Sequence, residues 1–151
     1  MLDALAVSAG AAAGALTRFK VSTSSAFLAK NLNLPPPFHI AAVNVAGSLL
    51  LGGIAASTLP KVVSSSSLPP PSLSSSPHSP LLNPRLALAL SVGFCGSLTT
   101  FSTFSLDALT LLQSANYSRL AAYLLCNNVG GIAACALGYG VVRQCRELAG
   151  R

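Results

Sequence analysis

The 151-residue chain is 52% hydrophobic and only 8% charged, with a mean hydropathy of +0.64. Soluble domains carry about 25% charged residues, so this chain cannot clothe a water-facing surface and reads as a polytopic membrane protein with short loops. Its formal charge of +6 comes from 9 Lys and Arg against 3 Asp and Glu, scattered at segment ends with no basic face of the kind nucleic-acid binding requires.

A span needs roughly 20 apolar residues, which leaves room for four. The first segment is residues 2–29. It is rich in Ala and Gly, and Gly10 and Gly14 stand at GxxxG spacing, where missing side chains let another membrane helix approach. Arg18 and Lys20 fall in its second half. A long basic side chain there either snorkels to the interface or lines a wet vestibule. Both readings stand for Arg18, whereas Lys20 suits snorkelling. Met1-Leu2-Asp3 sets no basic region ahead of the apolar run, so this segment is expected in the mature protein.

Asn31 to Pro37 reads as a turn stiffened by three prolines. The second segment, 38–59, embeds one strong hydrogen-bonding side chain, Asn44, and has a small-residue face of Gly47, Ser48, Gly52 and Gly53. Residues 60–83 are dominated by Ser and Pro. Such a stretch buries too little apolar area to offset chain entropy and is expected to be a disordered aqueous loop.

Asn83-Pro84 supplies an N-cap and a first-turn proline for the third segment, 84–114. This segment is too long for one simple span. It contains Gly93 to Asp107, with two glycines, six Ser/Thr hydroxyls, three phenylalanines and a carboxylate. The fourth segment, 117–142, has Tyr123, Asn127 and Asn128 as its polar members, and Gly130-Gly131 and Gly138-x-Gly140 mark close packing. Asn116-Tyr117-Ser118 matches a glycosylation acceptor, but the loop is too short to serve. Cys95, Cys126 and Cys135 lie in apolar segments and Cys145 beyond them. With no CxxC spacing they are expected to act as small buried apolar residues.

Four spans bring both termini to one side. That side holds Lys61, Arg85, Arg143, Arg146 and Arg151; the other holds Arg18, Lys20, Lys30 and Arg119. Orientation follows the bias in such residues, and five against four is almost none. A chain without bias inserts both ways up, from which antiparallel dimers arise naturally.

Catalysis has little to work with. His39 and His78 are the only histidines, and no GxGxxG, Walker A or HExxH pattern is present, so the chain is not expected to be an enzyme. Asp107 is the only acid inside a span, which weakens proton-coupled export. The polar stretch suits a small ion. A helix broken between Gly96 and Thr100, with Gly96 allowing the bend, would free carbonyls that cost several kcal/mol if left unsatisfied; transporters use such breaks to coordinate ions. Phe101 and Phe104, three apart, share a helix face. Their positive ring edges could meet an anion while hydroxyls and the Asn44 amide replace its water. Plain core packing of both rings is the competing reading.

The arrangement resembles the Fluc (CrcB-type) fluoride channels over all four spans. The strongest motif runs Gly93-Phe94-Cys95-Gly96-Ser97-Leu98-Thr99-Thr100-Phe101-Ser102-Thr103-Phe104-Ser105, close to the family's GFCGGxTTFSTFS. Gly10, Gly14, Ala15 and Arg18, then Asn44, Gly47 and Ser48, and more weakly Tyr123, support it. The resemblance implies an all-α membrane protein with four transmembrane helices, the third broken at mid-membrane, paired as an antiparallel dual-topology dimer with two pores. It implies that Phe101 and Phe104 contact fluoride, and that Ser102, Thr103, Asn44 and Tyr123 line its path. Carbonyls of Gly96 and Thr99 from both subunits would hold a structural sodium ion (Na+), and Arg18 would sit at a vestibule. The implied partners are fluoride, the lipid bilayer and a second copy or homologous half. The implied role is passive fluoride export, with the plasma membrane as the expected location.

The chain departs from the pattern at four positions. Asp107 stands where Glu is usual, Ser97 replaces the second glycine, and Asn127 and Gly131 stand where Ser or Thr is usual. Two rivals remain: a small dual-topology exporter of cationic drugs, which would need an acid embedded in the first span, and a membrane scaffold that transports nothing.

Overall fold

The computed structural model describes residues 1–24, 37–58 and 82–149. Most of the expected Ser/Pro loop, together with Lys30, Lys61, His78 and Arg151, lies outside these residues. Among the described residues the chain forms helices and turns, with no strand.

Helix α1 is Leu2–Thr23 and α2 is Phe38–Thr58. The third rod begins with α3, Pro84–Leu88, continues through a π-helical segment, Ala89–Cys95, and ends in the short α4, Gly96–Leu98. Asn83 caps it as expected, its side chain accepting the Arg85 N–H at 3.0 Å, with Pro84 in the first turn. After a break comes α5, Phe101–Gln113. The fourth rod is α6, Tyr117–Leu125, a second π-helical segment, Cys126–Gly130, and α7, Gly131–Ala149.

The rods alternate in direction. Arg85 at the start of α3 pairs with Asp3 at the start of α1, so those two run parallel. Arg146 near the end of α7 donates to the Ala56 carbonyl near the end of α2, so these two run parallel as well.

Close approach of backbones builds both pairs. A Cβ on Gly10 would overlap the Ala89 carbonyl, and one on Gly14 the Phe94 carbonyl, so α1 lies directly against the first π-helical segment. Gly52 stands in the same relation to Cys135 O, and Gly138 to Leu49 O, along the α2–α7 seam. Lipid supplies no hydrophobic push between helices, so small residues that allow intimate packing do that work.

Large apolar side chains cover the outside: Leu50, Val92, Leu109, Leu125, Ile132 and Leu137 are all exposed. In water each would forgo about 25 cal/mol per Å² of apolar area; in a bilayer that outer coat is the natural one. Three helices are long and apolar enough to cross it, Phe38–Thr58, Pro84–Gln113 and Tyr117–Ala149, with mean hydropathies of 1.8, 1.4 and 1.6. Helix α1, rich in Ala and carrying Arg18 and Lys20, is not among them. The expectation of buried cysteines holds for Cys95 only; Cys126 and Cys145 are exposed, because the helix faces bearing them turn outward from this chain.

A tight turn joins α5 to α6. Ala115 takes φ 54°, and the N–H groups of Ala115 and Asn116 return to Leu112 O and Leu111 O. This closes α5 in the manner of a Schellman cap, whose left-handed position favours glycine. Ala115→Gly is therefore expected to stabilise the protein by about 0.5 kcal/mol, as relief of left-handed strain outweighs added chain entropy. Thermal unfolding in detergent measures it; a lower melting temperature would contradict the reading.

Candidate functional site

The break in the third rod falls within the expected Gly96 to Thr100 stretch, at its far end, but Gly96 is not the hinge. Gly96 is helical, at φ −63° and ψ −31°. The extended residues are Thr99 (φ −76°, ψ 154°) and Thr100 (φ −150°, ψ 116°). Both are β-branched, and stiff side chains of that kind tolerate extended backbone well. The bend thus belongs to the two threonines, while Gly96 leaves space around the freed backbone.

Several of the groups at the break find partners. Thr99 N–H still reaches Cys95 O at 3.0 Å. A continuous helix would donate Thr100 N–H to Gly96 O; here it donates to Asn44 Oδ1 at 2.9 Å instead. Asn44 Nδ2 donates to Asn127 Oδ1 at 2.8 Å and makes a longer contact, 3.4 Å, with Thr100 O. Arg18 donates from Nη1 to Thr99 O at 3.4 Å. Thr100 then opens α5 as its N-cap: its Oγ1 accepts the Thr103 N–H at 3.2 Å and lies 3.1 Å from Thr103 Oγ1 and 3.2 Å from Ser102 Oγ. An unpartnered polar group at this depth would cost about 1–3 kcal/mol, so α1, α2 and the fourth rod all contribute to keeping the break open.

The two phenylalanines part company. Their ring centroids are 5.5 Å apart, as the shared face requires. Phe104 is buried in a small core with Ala41, Leu111 and Tyr123, its ring 5.5 Å from that of Tyr123. Phe101 is 77% exposed. Core packing therefore accounts for Phe104 and not for Phe101. Tyr123 is fully buried and donates its hydroxyl to Asp107 Oδ2 at 2.9 Å. The Asp107 carboxylate is thus held by a phenol sixteen residues further along the chain.

A cavity of about 280 Å³ opens beside the break, lined among others by Asn44, Thr99, Thr100, Phe101, Phe104 and Asn127. The predicted site residues therefore divide. Asn44, Thr99, Phe101, Phe104 and Gly96 meet at this cavity. Ser102 and Thr103 are tied to it through the Thr100 hydroxyl, Tyr123 packs against Phe104, and Arg18 reaches the Thr99 carbonyl. Sequence reasoning missed the role of Thr100 as N-cap and staple point; the available signal was only that Thr is a residue type favoured at that position. It also missed the contacts Asn44–Asn127 and Tyr123–Asp107, which have no signature in spacing.

Comparison with known proteins identifies the family. Residues 5–139 match the model of the family described as CrcB-like protein, Camphor Resistance (CrcB). A protein named fluoride-specific ion channel FluC from Stutzerimonas stutzeri is 35% identical over 142 residues, covering 93% of this chain and 96% of its own. Its namesake from Pseudoalteromonas translucida is 36% identical over 138 residues, covering 91% and 98%. One from Trichormus variabilis is 30% identical over 141 residues, covering 93% and 88%. With a family match over most of the chain and relatives matched nearly end to end, this multi-pass membrane protein belongs to the CrcB-like family.

Proposed function

We propose that this chain forms a passive, fluoride-selective channel that lets fluoride leave down its gradient. The name its relatives carry supports it, and the observation that carries it is the cavity at the helix break. There an exposed ring, Phe101, stands beside a buried one, Phe104, and amide and hydroxyl groups from Asn44, Thr99 and Thr100 converge. Fluoride is small and strongly hydrated, so its path must replace water with several donors. Amide N–H, hydroxyl and the positive edges of phenyl rings are the groups that can do so without a fixed charge. Asn44, Ser102, Thr103 and Tyr123 belong to that path in this reading. Arg18 raises the anion concentration nearby. A channel breaks no covalent bond, so the scarcity of acids and bases is no handicap. Hydrogen fluoride enters cells as a neutral molecule and dissociates inside, so passive exit of the ion is enough to limit its toxicity.

The same reading takes α1 as a fourth span. Its 22 residues reach roughly 33 Å at 1.5 Å per residue, and its glycines seat it against the third rod. It also pairs two copies antiparallel. The near-equal charge at the two ends, the exposed Phe101 and the open side of the cavity favour a partner there. A structural sodium ion fits this arrangement: neutral carbonyls suit a hard monovalent cation, and the Gly96 carbonyl has lost its Thr100 donor to Asn44. The Thr99 carbonyl would join once Arg18 yields its long contact. Two carbonyls from one chain are few for any cation, and a second copy would double them. Bound sodium would hold the two breaks together.

Fluoride efflux from proteoliposomes tests the proposal. Wild-type protein is expected to release fluoride, with chloride retained and no proton gradient required. Absence of fluoride release would defeat it, and cation uptake coupled to protons would favour a drug exporter instead.

A further inference from the structure

The break is held by a side chain that does not itself touch it. Asn127 belongs to the second π-helical segment, Cys126–Gly130. Its Nδ2 donates to Tyr123 O at 3.0 Å, in its own rod. That bond fixes which end of the Asn127 amide faces outward: the oxygen does, and it accepts Asn44 Nδ2 at 2.8 Å. With its nitrogen committed to Asn127, Asn44 must turn its oxygen to the break, where it accepts Thr100 N–H at 2.9 Å. Donation thus runs in one sense over three hydrogen bonds, from the Thr100 N–H at the open turn of the third rod to the Tyr123 carbonyl of the fourth.

The sense of this relay matters because an amide has two unlike ends of nearly the same shape. If Asn44 turned over, its NH2 group would face the Thr100 N–H and its oxygen would face the Asn127 oxygen. Both contacts would then be repulsive. Without Asn127, only the Thr100 N–H and the long contact to Thr100 O would direct Asn44. The second Asn44 N–H, the one directed at Thr100 O over 3.4 Å, is the donor most easily lent to an anion in the cavity. Turned over, Asn44 would offer its oxygen there in place of that N–H.

We infer that Asn127 is a positioning residue for ion passage, acting through Asn44: it sets the orientation of the Asn44 amide that staples the helix break and supplies a donor to the cavity. The inference builds on the fluoride-channel reading, yet part of its test does not depend on that reading. Serine at this position would keep the relay, since its hydroxyl accepts from Asn44 while donating to Tyr123 O four residues back. Leucine or alanine would cut it.

The test compares wild type with Asn127→Leu, Asn127→Ala and Asn127→Ser, keeping those that elute as the wild type does on size exclusion. Two quantities are read: hydrogen exchange at the Thr100 amide, and fluoride efflux from proteoliposomes. Loss of one hydrogen bond of the usual strength corresponds to about a tenfold change. Asn127→Leu and Asn127→Ala are each expected to speed Thr100 exchange and slow fluoride efflux by about that factor, and Asn127→Ser to restore both. A side chain that only packs would not respond in this pattern, since serine is no better a volume match than alanine. Unchanged Thr100 exchange in both Leu and Ala variants would overturn the inference, whatever the efflux. Failure of serine to restore Thr100 exchange would overturn it too. If exchange responds as expected but wild-type protein moves no fluoride, the relay stands as the support of the break, and the channel reading and the efflux role both fall.

Discussion

Phe101→Ile is expected to bring fluoride efflux down to the leak of empty liposomes while the protein keeps its fold. Phe101 is 77% exposed in the single chain, and substitutions of exposed side chains away from special features change stability by about 0.5 kcal/mol or less. The apolar character of the ring and part of its volume survive in isoleucine; the positive ring edge does not. Loss of one preorganised electrostatic contact in a dry site typically costs roughly 100-fold or more in rate. The expected result is therefore a large fall in flux with little change in melting temperature or elution. Phe104 could not give so clean an answer, because it is buried against Tyr123 and its replacement disturbs packing as well. Should Phe101→Ile conduct like the wild type, the ring merely faces lipid or a partner subunit, and the scaffold reading gains ground.

Gly138→Ala should have the largest effect on folding. A Cβ at Gly138 would fall on the Leu49 carbonyl, and Gly52 meets the Cys135 carbonyl in the same way from the opposite helix. Backbone cannot step aside as a flexible side chain can, so α2 and α7 must separate. Overpacking of this kind costs about 3 kcal/mol, a large share of a marginal total. Gly140→Ala is the matched control, since a Cβ there meets nothing within 4 Å. Alanine is the better helix former by about 1 kcal/mol, so this variant should be neutral or more stable. Unfolding by denaturant in detergent compares the two, and equal behaviour of the pair would refute the close-packed seam. Because α2 carries Asn44, any Gly138→Ala protein that does fold should also lose fluoride flux.

Much of this was legible before any coordinates. Hydropathy and the near absence of charge dictate helices in a bilayer, because only a helix or a closed barrel satisfies its own backbone there. Asn83-Pro84 marks a helix start on local chemistry alone, and α3 begins there. The GxxxG spacing of Gly10 and Gly14 announced a close helix contact without naming the partner, which proved to be the first π-helical segment. The polar stretch from Gly93 to Asp107 announced a break, and the motif announced the family.

The break falls in the expected Gly96 to Thr100 stretch, but which residues bend was not legible. Glycine was the obvious hinge by propensity, yet the bend falls at Thr99 and Thr100, because a bend forms where its freed groups find partners. Those partners, Arg18 and Asn44, come from other rods, 81 and 56 residues away in sequence. The difference between Phe101 and Phe104 was equally hidden: both lie on one face of α5, and only the docking of Tyr123 makes one of them core.

The sequence by itself therefore determined the membrane class, the helical rods, the small-residue seams and the stretch where ion chemistry is concentrated. These follow from composition, periodicity and local propensity, which act between near neighbours. Only the tertiary structure decided which residues open the third rod, how Asn127 and Asn44 hold it, and that Asp107 is bound by Tyr123. Those are hydrogen bonds between rods, and their distances depend on how backbones meet at Gly10, Gly52 and Gly138, a property of packing that no spacing along the chain encodes.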